Sequence, residues 1–269
     1  MMKEGANILE YTGSSQQVDQ LRVSVFPDRF AVGRMASIQV ATKMRKLLVE
    51  NGRVRMIFAA APSQNEFLDA LSDEPDIDWS RVTVFHMDEY VQLPADDPRT
   101  FANYLRTRLF DHVQPGIVHL IDASKDAQQE CLHYSSLLRA APIDIVCLGI
   151  GENGHIAFND PGVADFTDPL YMKLVTLDVA SRMQQVHDGC FMDFSSVPEQ
   201  AVTLTIPALL SAQHLYCLVS GKNKHFAVSR TLTGPISEDC PASILRQHPD
   251  CTLFLDRLAY GGINNDFMS

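Results

Sequence analysis

The chain has 269 residues, of which 46% are apolar and 20% charged, with a formal net charge of −11. A chain of this length can bury a substantial core, and its composition is ordinary for a soluble protein. The acidic balance argues against nucleic acid or an acidic membrane surface as partner, because both need basic patches, but it leaves room for a small anion held by a few local cations. The N-terminal Met-Met-Lys-Glu-Gly-Ala-Asn has no apolar signal core, and no run reaches transmembrane length. The six cysteines show no C-x-x-C pairing and read as reduced core residues of a cytoplasmic protein. Without a repeat or a long linker, residues 1–269 read as one domain.

In chain order, Leu21 to Phe26 reads as a first strand. Asp28 caps a helix from about Arg29 to Glu50, with Phe30, Met35, Ile38, Met44 and Leu48 at roughly helical spacing and Asn51-Gly52 as its stop. Met56 to Ala60 is a second strand. In the turn that follows, Ala59-Ala-Ala-Pro-Ser63, small residues let a ligand approach the backbone, and Ser63-Gln-Asn-Glu66 has capping-box spacing. A helix starting there offers free N–H groups to an anion, although a plain capped helix is the commoner outcome. Arg81 to Met87 is a third strand. It delivers Asp88, a candidate general base, and Glu89. Thr100 to His112 reads as a helix with Phe101, Leu105 and Leu109 on one face and His112 against its end.

Ile117 to Ile121 is a further strand, and Ser124 is expected to cap a helix to about Ala140, buried through Ala127, Cys131, Tyr134 and Leu138. After the central stretch described next, Val163 to Tyr171 reads as a loop or mobile cover, and Lys173 to Leu177 as a short strand. Ser181 to Cys190 has no clear periodicity, although its Arg182 and His187 could face a site. Ala201 to Ile206 is a strand, Pro207 starts a short helix, and His214 to Ser220 is a strand. Gly221-Lys-Asn-Lys224 opens a helix to about Leu232, with lysines able to meet an anion. Cys251 to Asp256 is the last strand, and the tail after Arg257 is expected to be loosely ordered.

The middle of the chain carries the densest chemistry. Ile143 to Ile150 has the length and β-branching of a buried strand. It runs into Gly149-Ile-Gly-Glu-Asn-Gly154, then His155 and Asp160. The glycines spell G-x-G-x-x-G, but a dinucleotide fingerprint needs a helix to start inside it, and Pro161-Gly162 interrupt instead. Neither an H-x-x-x-H pair nor a cysteine cluster supports a metal site. A His and a carboxylate delivered by a turn at a strand end are candidates for acid–base work. Strand and helix alternate, which predicts an α/β fold: a doubly wound, mostly parallel sheet with helices on both faces (Rossmann-like). In such a sheet the turns after residues 60, 87, 150 and 220 share one edge, so an active site at the strand C-terminal ends is expected.

Three of these turns together resemble the glucosamine-6-phosphate deaminase (isomerase) family, related to the 6-phosphogluconolactonases. The resemblance lies in Phe85-His-Met-Asp-Glu-Tyr-Val91 and Leu148-Gly-Ile-Gly-Glu-Asn-Gly-His-Ile-Ala-Phe-Asn-Asp-Pro-Gly162, supported by Gly221-Lys-Asn-Lys224 and Ser243-Ile-Leu-Arg-Gln-His-Pro249. It runs from about residue 30 to 256. The lactonases share the Gly-His pair but continue with a Ser-Leu-Phe-Pro-like segment, so Phe158-Asn-Asp-Pro161 favours the deaminase branch.

The resemblance implies aldose–ketose isomerisation and deamination of an amino-sugar phosphate, most simply glucosamine 6-phosphate to fructose 6-phosphate and ammonia, by a hydrolase/isomerase of amino-sugar metabolism. Galactosamine 6-phosphate, or a non-catalytic sugar-phosphate sensor on the same fold, are the alternatives. It implies Asp88 as the base that moves a proton between C2 and C1, and His155 as the acid/base that opens the pyranose ring, assisted by Asp160 and oriented by Asn153. It implies Ala61, Ser63 and Lys224 as phosphate-binding, with Arg182 the nearest candidate for a phosphate-binding arginine. No metal or organic cofactor is implied. The family includes monomers and hexamers, so a homo-oligomer stays open. The chain departs from the family pattern in its Asp160, where most members have Glu, and in Ala61-Pro62, where a Thr-Gly pattern is usual.

Overall fold

The computed structural model describes residues 13–124 and 126–261. Met1 to Asn7, Lys125 and the tail from residue 262 lie outside the described residues. In chain order the elements are β1 (Ser14–Val18), β2 (Leu21–Phe26), α1 (Arg29–Asn51), β3 (Val54–Phe58), α2 (Asn65–Ser72), β4 (Val82–His86) and β5 (Asp88–Tyr90). A helical stretch follows, made of α3 (Phe101–Leu105), a π turn (Arg106–Phe110) and α4 (Asp111–Val113). Then come β6 (Ile117–Val118), α5 (Ala127–Arg139), β7 (Ile145–Leu148), β8 (Met172–Thr176), α6 (Val179–His187), β9 (Gln200–Leu204), α7 (Ile206–Leu210), β10 (His214–Val219), α8 (His225–Thr233), β11 (Cys251–Asp256) and α9 (Arg257–Tyr260).

Among the described residues, eight strands form the main sheet in the order β1-β2-β11-β10-β7-β3-β4-β6. All neighbours are parallel except β1 and β2. Apolar side chains alternate to both faces. Ile57, Val146 and Leu148 belong to one buried cluster, and Met56, Phe58, Ile145 and Cys147 to the other. A parallel sheet covered on both sides needs this near-continuous hydrophobicity. From β3 the chain winds outward to β4 and β6, then returns to β7 on the other side of β3 and winds on to β10 and β11. The reversal leaves a crevice at the carboxyl ends of β3 and β7, the place where open α/β sheets bind ligands. The expected α/β architecture is observed.

The structure also differs from the sequence reading. A second sheet, β5-β9-β8, is antiparallel. The strands expected at Lys173–Leu177 and Ala201–Ile206 belong to it, because β5 peels away from β4 after Met87 and recruits them. The polar hairpin strand β1 carries no apolar alternation and was not expected. It pairs with β2 across a tight turn at Asp19, whose φ is 50°. Ser63 does not cap a helix. The chain enters α2 through a 3-10 turn at Pro62–Gln64, without a side-chain cap, and Glu66 instead pairs with Arg29 at 2.7 Å. Asp126, not Ser124, caps α5. Asp178 caps α6 over a stretch whose buried Ser181, Gln184 and Gln185 hid its helical period. Phe30 is exposed, because α1 buries Ala31, Ala36, Val40 and Met44 instead. After Arg257 the chain forms α9, closed by Gly261 at φ 64°.

Helix α1 sits close on α2. A Cβ added at Gly33 would lie 2.6 Å from the Glu66 carbonyl carbon and 2.8 Å from Phe67 N. The glycine therefore sets how near α2, and the turn that precedes it, come to the sheet. Gly33→Ala is expected to destabilise the protein by about 1–3 kcal/mol through overpacking. Urea unfolding midpoints check this.

Candidate active site

The turns after β3, β4, β7 and β10 open into one cavity. It is lined by Ala61, Ser63 and Gln64 from the first, Asp88 from the second, Gly151 and His155 from the third and Lys224 from the fourth. Gln184 and Gln185 of α6 and the rings of Phe101 and Phe158 complete the wall.

Asp88 opens β5, at the junction of the two sheets, where its backbone pairs with Thr203. It is 7% exposed. Burial raises its pKa well above the usual carboxylate value, and the neighbouring Glu89 charge adds to the rise. Glu89 has a different task. Its carboxylate accepts from the backbone N–H groups of Tyr90 (2.9 Å), Phe101 (3.1 Å) and Ala102 (2.9 Å) and caps α3. Burial outweighs those bonds and brings its pKa up to about 7.

His155 is held by a closed polar network. Its Nδ1 lies 2.8 Å from Asn153 Oδ1, 2.9 Å from Ser181 Oγ and 3.0 Å from Asp160 Oδ1. Asn153 Oδ1 also accepts from the His155 N–H at 3.0 Å, and Asn153 Nδ2 donates to Asp160 at 2.9 Å. These contacts fix the orientation of the amide. The Ser181 hydroxyl donates to Asp160. The groups around Nδ1 therefore present acceptors, so Nδ1 carries the proton and Nε2 is left with the lone pair. The imidazole rests on the backbone of Gly151, where a Cβ would fall 2.1–2.3 Å from the ring atoms. Ala157, also on the cavity wall, has φ 49°, a strained conformation for a residue with a side chain. The turn is tied to β9 by Phe158 N–H donating to Thr203 Oγ1 (3.0 Å) and Asn159 Nδ2 to Leu204 O (2.8 Å).

Asp160 is fully buried beneath His155. Burial alone would raise its pKa. The contacts from His155, Asn153 and Ser181 outweigh that and hold it down at about 2.

Lys224 is 5% exposed and lies at the end of the 3-10 turn Lys222–Lys224, ahead of α8. Burial lowers its pKa, partly offset by Asp188 and Glu152. Arg182 is not brought to the cavity. Its guanidinium donates to Phe194 O (3.1 Å) and Val197 O (2.8 Å) and stacks over the Phe194 ring at 4.1 Å. It lines a separate groove with Val197–Gln200. No residue of the Val163–Tyr171 segment is part of the cavity wall. Lys173 Nζ ties that segment down through Val163 O and Asp168.

Sequence reasoning missed Ser181, Gln64, Gln184 and Gln185. Asp178 before Ser181 is a readable cap signal. The three glutamines carry no motif. No helix begins inside the G-x-G-x-x-G turn, whose Gly154 has φ 93°. Among the described residues, no three His, Cys, Asp or Glu side chains cluster in a way that could hold a metal ion, and no helix is long and apolar enough to cross a membrane. All six cysteines are free.

Removing the Ser181 hydroxyl tests the network. Ser181→Ala takes one donor from Asp160, so the Asp160 pKa rises toward its unfolded value. The stability supplied by a depressed carboxylate pKa is fully present above the unfolded value, near 4, and is lost as pH falls through the folded value, about 2. The variant is therefore expected to be less stable than the parent by about 1–2 kcal/mol at pH 7, with the gap narrowing below pH 4. Urea unfolding between pH 7 and pH 3 checks this, and a gap that widens with acid would contradict it.

The model of the family described as glucosamine-6-phosphate isomerases/6-phosphogluconolactonase matches residues 27–254. Glucosamine-6-phosphate deaminase of Listeria innocua is 35% identical over 227 residues, covering 84% of this chain and 95% of that protein. A solved monomeric glucosamine-6-phosphate deaminase superposes with a TM-score of 0.82 at 30% identity, covering 89% of this chain and 98% of that one. The 6-phosphogluconolactonase of Thermotoga maritima shares the fold, with a TM-score of 0.70 at 21% identity and coverage of 87% and 98%. With the match spanning most of its length, the chain belongs to the glucosamine-6-phosphate isomerase/6-phosphogluconolactonase family.

Proposed function

We propose that the chain is a cytoplasmic amino-sugar-phosphate deaminase that isomerises glucosamine 6-phosphate and releases ammonia, leaving fructose 6-phosphate. One observation carries the reading: a buried carboxylate, an imidazole held through Nδ1 by Asn153, Ser181 and Asp160, and a buried ammonium line the same cavity, as Asp88, His155 and Lys224. The deaminase names of the relatives support it.

In this reading Lys224 and the turn from Ala61 to Ser63 hold the phosphate, far from the reacting carbons, so binding energy there serves positioning. His155 Nε2 takes the proton of the anomeric hydroxyl and returns one to the ring oxygen, which opens the pyranose. Asn153 and Asp160 orient the ring, and Asp160 stabilises the imidazolium while it lasts. Asp88 then takes the C2 proton. The electrons of that C–H bond form the C1–C2 double bond as the C1 oxygen gains a proton. Return of a proton to C1 leaves a protonated imine at C2. Water adds there, and the C2–N bond breaks with the electron pair leaving on ammonia, a hydrolytic end to an isomerisation.

Asp88 works as a base only when ionised. Because burial and Glu89 raise its pKa, kcat/KM is expected to fall on the acid side at a pH clearly above 4, the ordinary carboxylate range. Asp88→Asn is expected to lower ammonia release by about 100-fold or more. The assay measures ammonia from glucosamine 6-phosphate and galactosamine 6-phosphate separately, across pH. Undiminished release by the variant would remove Asp88 from its role. Release from galactosamine 6-phosphate alone would change the sugar, and stabilisation by both ligands without release would leave a sensor.

A further inference from the structure

We infer that the side-chain amide of Gln64 binds the anionic end of the ligand, as a neutral donor acting beside Lys224. The inference rests on the sugar-phosphate reading of the cavity.

Gln64 is 1% exposed, yet it lines the cavity, and its Nε2 has no hydrogen-bond partner among the described residues. A buried amide N–H without an acceptor is unfavourable, and native structures rarely keep one without a use. Its neighbours locate it. A Cβ added at Gly149 would lie 3.3 Å from Gln64 Nε2, 3.4 Å from Leu218 O and 3.8 Å from Ser63 Oγ. The amide thus sits where the ends of β3, β7 and β10 meet, beside Ser63 and on the side of the strand that leads to Lys224. The absence of a side chain at Gly149 keeps the space in front of it clear.

The charges explain why a neutral donor belongs there. Lys224 is the one Lys or Arg among the described residues of the cavity wall. Two carboxylates, Asp188 and Glu152, already act on it. Arg182, the other candidate cation, is engaged by Phe194 O, Val197 O and the Phe194 ring. A phosphate has more oxygens than one ammonium can serve, and an amide NH2 supplies two further hydrogens without another charge to desolvate.

The test uses the full chain with Gln64→Met, which keeps the volume and removes the donor, and Gln64→Glu, which places an anion against an anion. KM and kcat are measured on glucosamine 6-phosphate, and the Kd of inorganic phosphate by calorimetry. Gln64→Met is expected to raise both KM and the phosphate Kd about tenfold, with kcat changed less than about threefold, and Gln64→Glu to raise them about 100-fold or more. The melting temperature of Gln64→Met should hold or rise, since an unpartnered buried group has been removed. A Gln64 that only supports the fold would lower it and leave binding alone. Wild-type binding constants in Gln64→Met overturn the inference, whether or not Gln64→Glu folds. If the parent binds phosphate but releases no ammonia, the deaminase reading fails while the phosphate arm still decides on Gln64. If the parent binds no phosphate, the inference fails even where ammonia is released.

Discussion

The reversal of winding between β3 and β7 is the constraint on which the rest of the molecule depends. Parallel strands deliver their following turns to one edge, and a reversal prevents the helices on either side from covering the gap between them. Ala61, Ser63 and Gln64 come to that gap from one side, and Gly151 and His155 from the other. The small residues there follow from the crowding. The imidazole lies on Gly151 so closely that any side chain at that position would take the volume of the ring. The second sheet completes the arrangement. Thr203 pairs with Asp88 through its backbone and accepts the Phe158 N–H through its hydroxyl, so one residue of β9 fixes both the turn after β4 and the turn after β7.

Two buried carboxylates are driven in opposite directions within this frame. Asp160 and Asp88 are both taken out of water, which by itself favours their neutral forms. Asp160 is given donors on the side of His155 and Asn153 and stays ionised. Asp88 is given a like-charged neighbour, Glu89, and is pushed further up. Pairs of acids whose environments separate their pKa values are a recurring sign of divided chemical labour. The divided roles suit a carboxylate that holds a charge permanently under an imidazole and one that exchanges a proton with a ligand.

Much of this could be read from the sequence. The β2–α1 unit, β10, β11 and the apolar run ending at Leu148 are fixed by local pattern, and Asp28 and Gly52 bound α1 as their residue types require. Asp88, His155 and Asp160 stand out in the sequence because they come in turns that follow strands, whereas Asn153 is pointed to only by the family resemblance. The structure brings Asp88 and His155 to one cavity and sets Asn153 and Asp160 against the His155 ring. What stayed hidden depends on tertiary context. The antiparallel sheet was invisible because β8 and β9 look like any short apolar strands, and their partner is chosen by the departure of β5 from β4. Helix α6 was obscured because its buried face is made of Ser181, Gln184 and Gln185, polar residues that hydrophobic periodicity counts as exposed. Arg182, the nearest candidate for a phosphate-binding arginine, follows Ser181, whose hydroxyl turns to His155 and Asp160, while its own guanidinium is engaged by Phe194 O and Val197 O. At 100° per residue, the side chain after an inward-pointing Ser181 turns away, toward Phe194 and Val197.

The polar inner face of α6 bears on the charge balance of the cavity. A helix packed at the edge of a ligand site can present cations, and so bind an anion strongly, or amides, and so bind it by geometry. Cations here would add to the desolvation already borne by Lys224, whose pKa is lowered by burial and kept from falling further by Asp188 and Glu152. Gln184 is occupied on both ends, accepting from Glu152 N at 2.9 Å and donating to Asp188 at 3.3 Å. It therefore holds in place the two acids that support the lysine. One buried ammonium, two acids that sustain its charge and amides that fix those acids form a unit whose net charge is close to zero or negative before a ligand arrives. Such a unit gains little from non-specific attraction of anions and depends on the match of donors to ligand oxygens. For a chain with a net charge of −11, long-range attraction of an anion contributes little, and buried directional donors such as the Lys224 ammonium are what such a cavity can offer one.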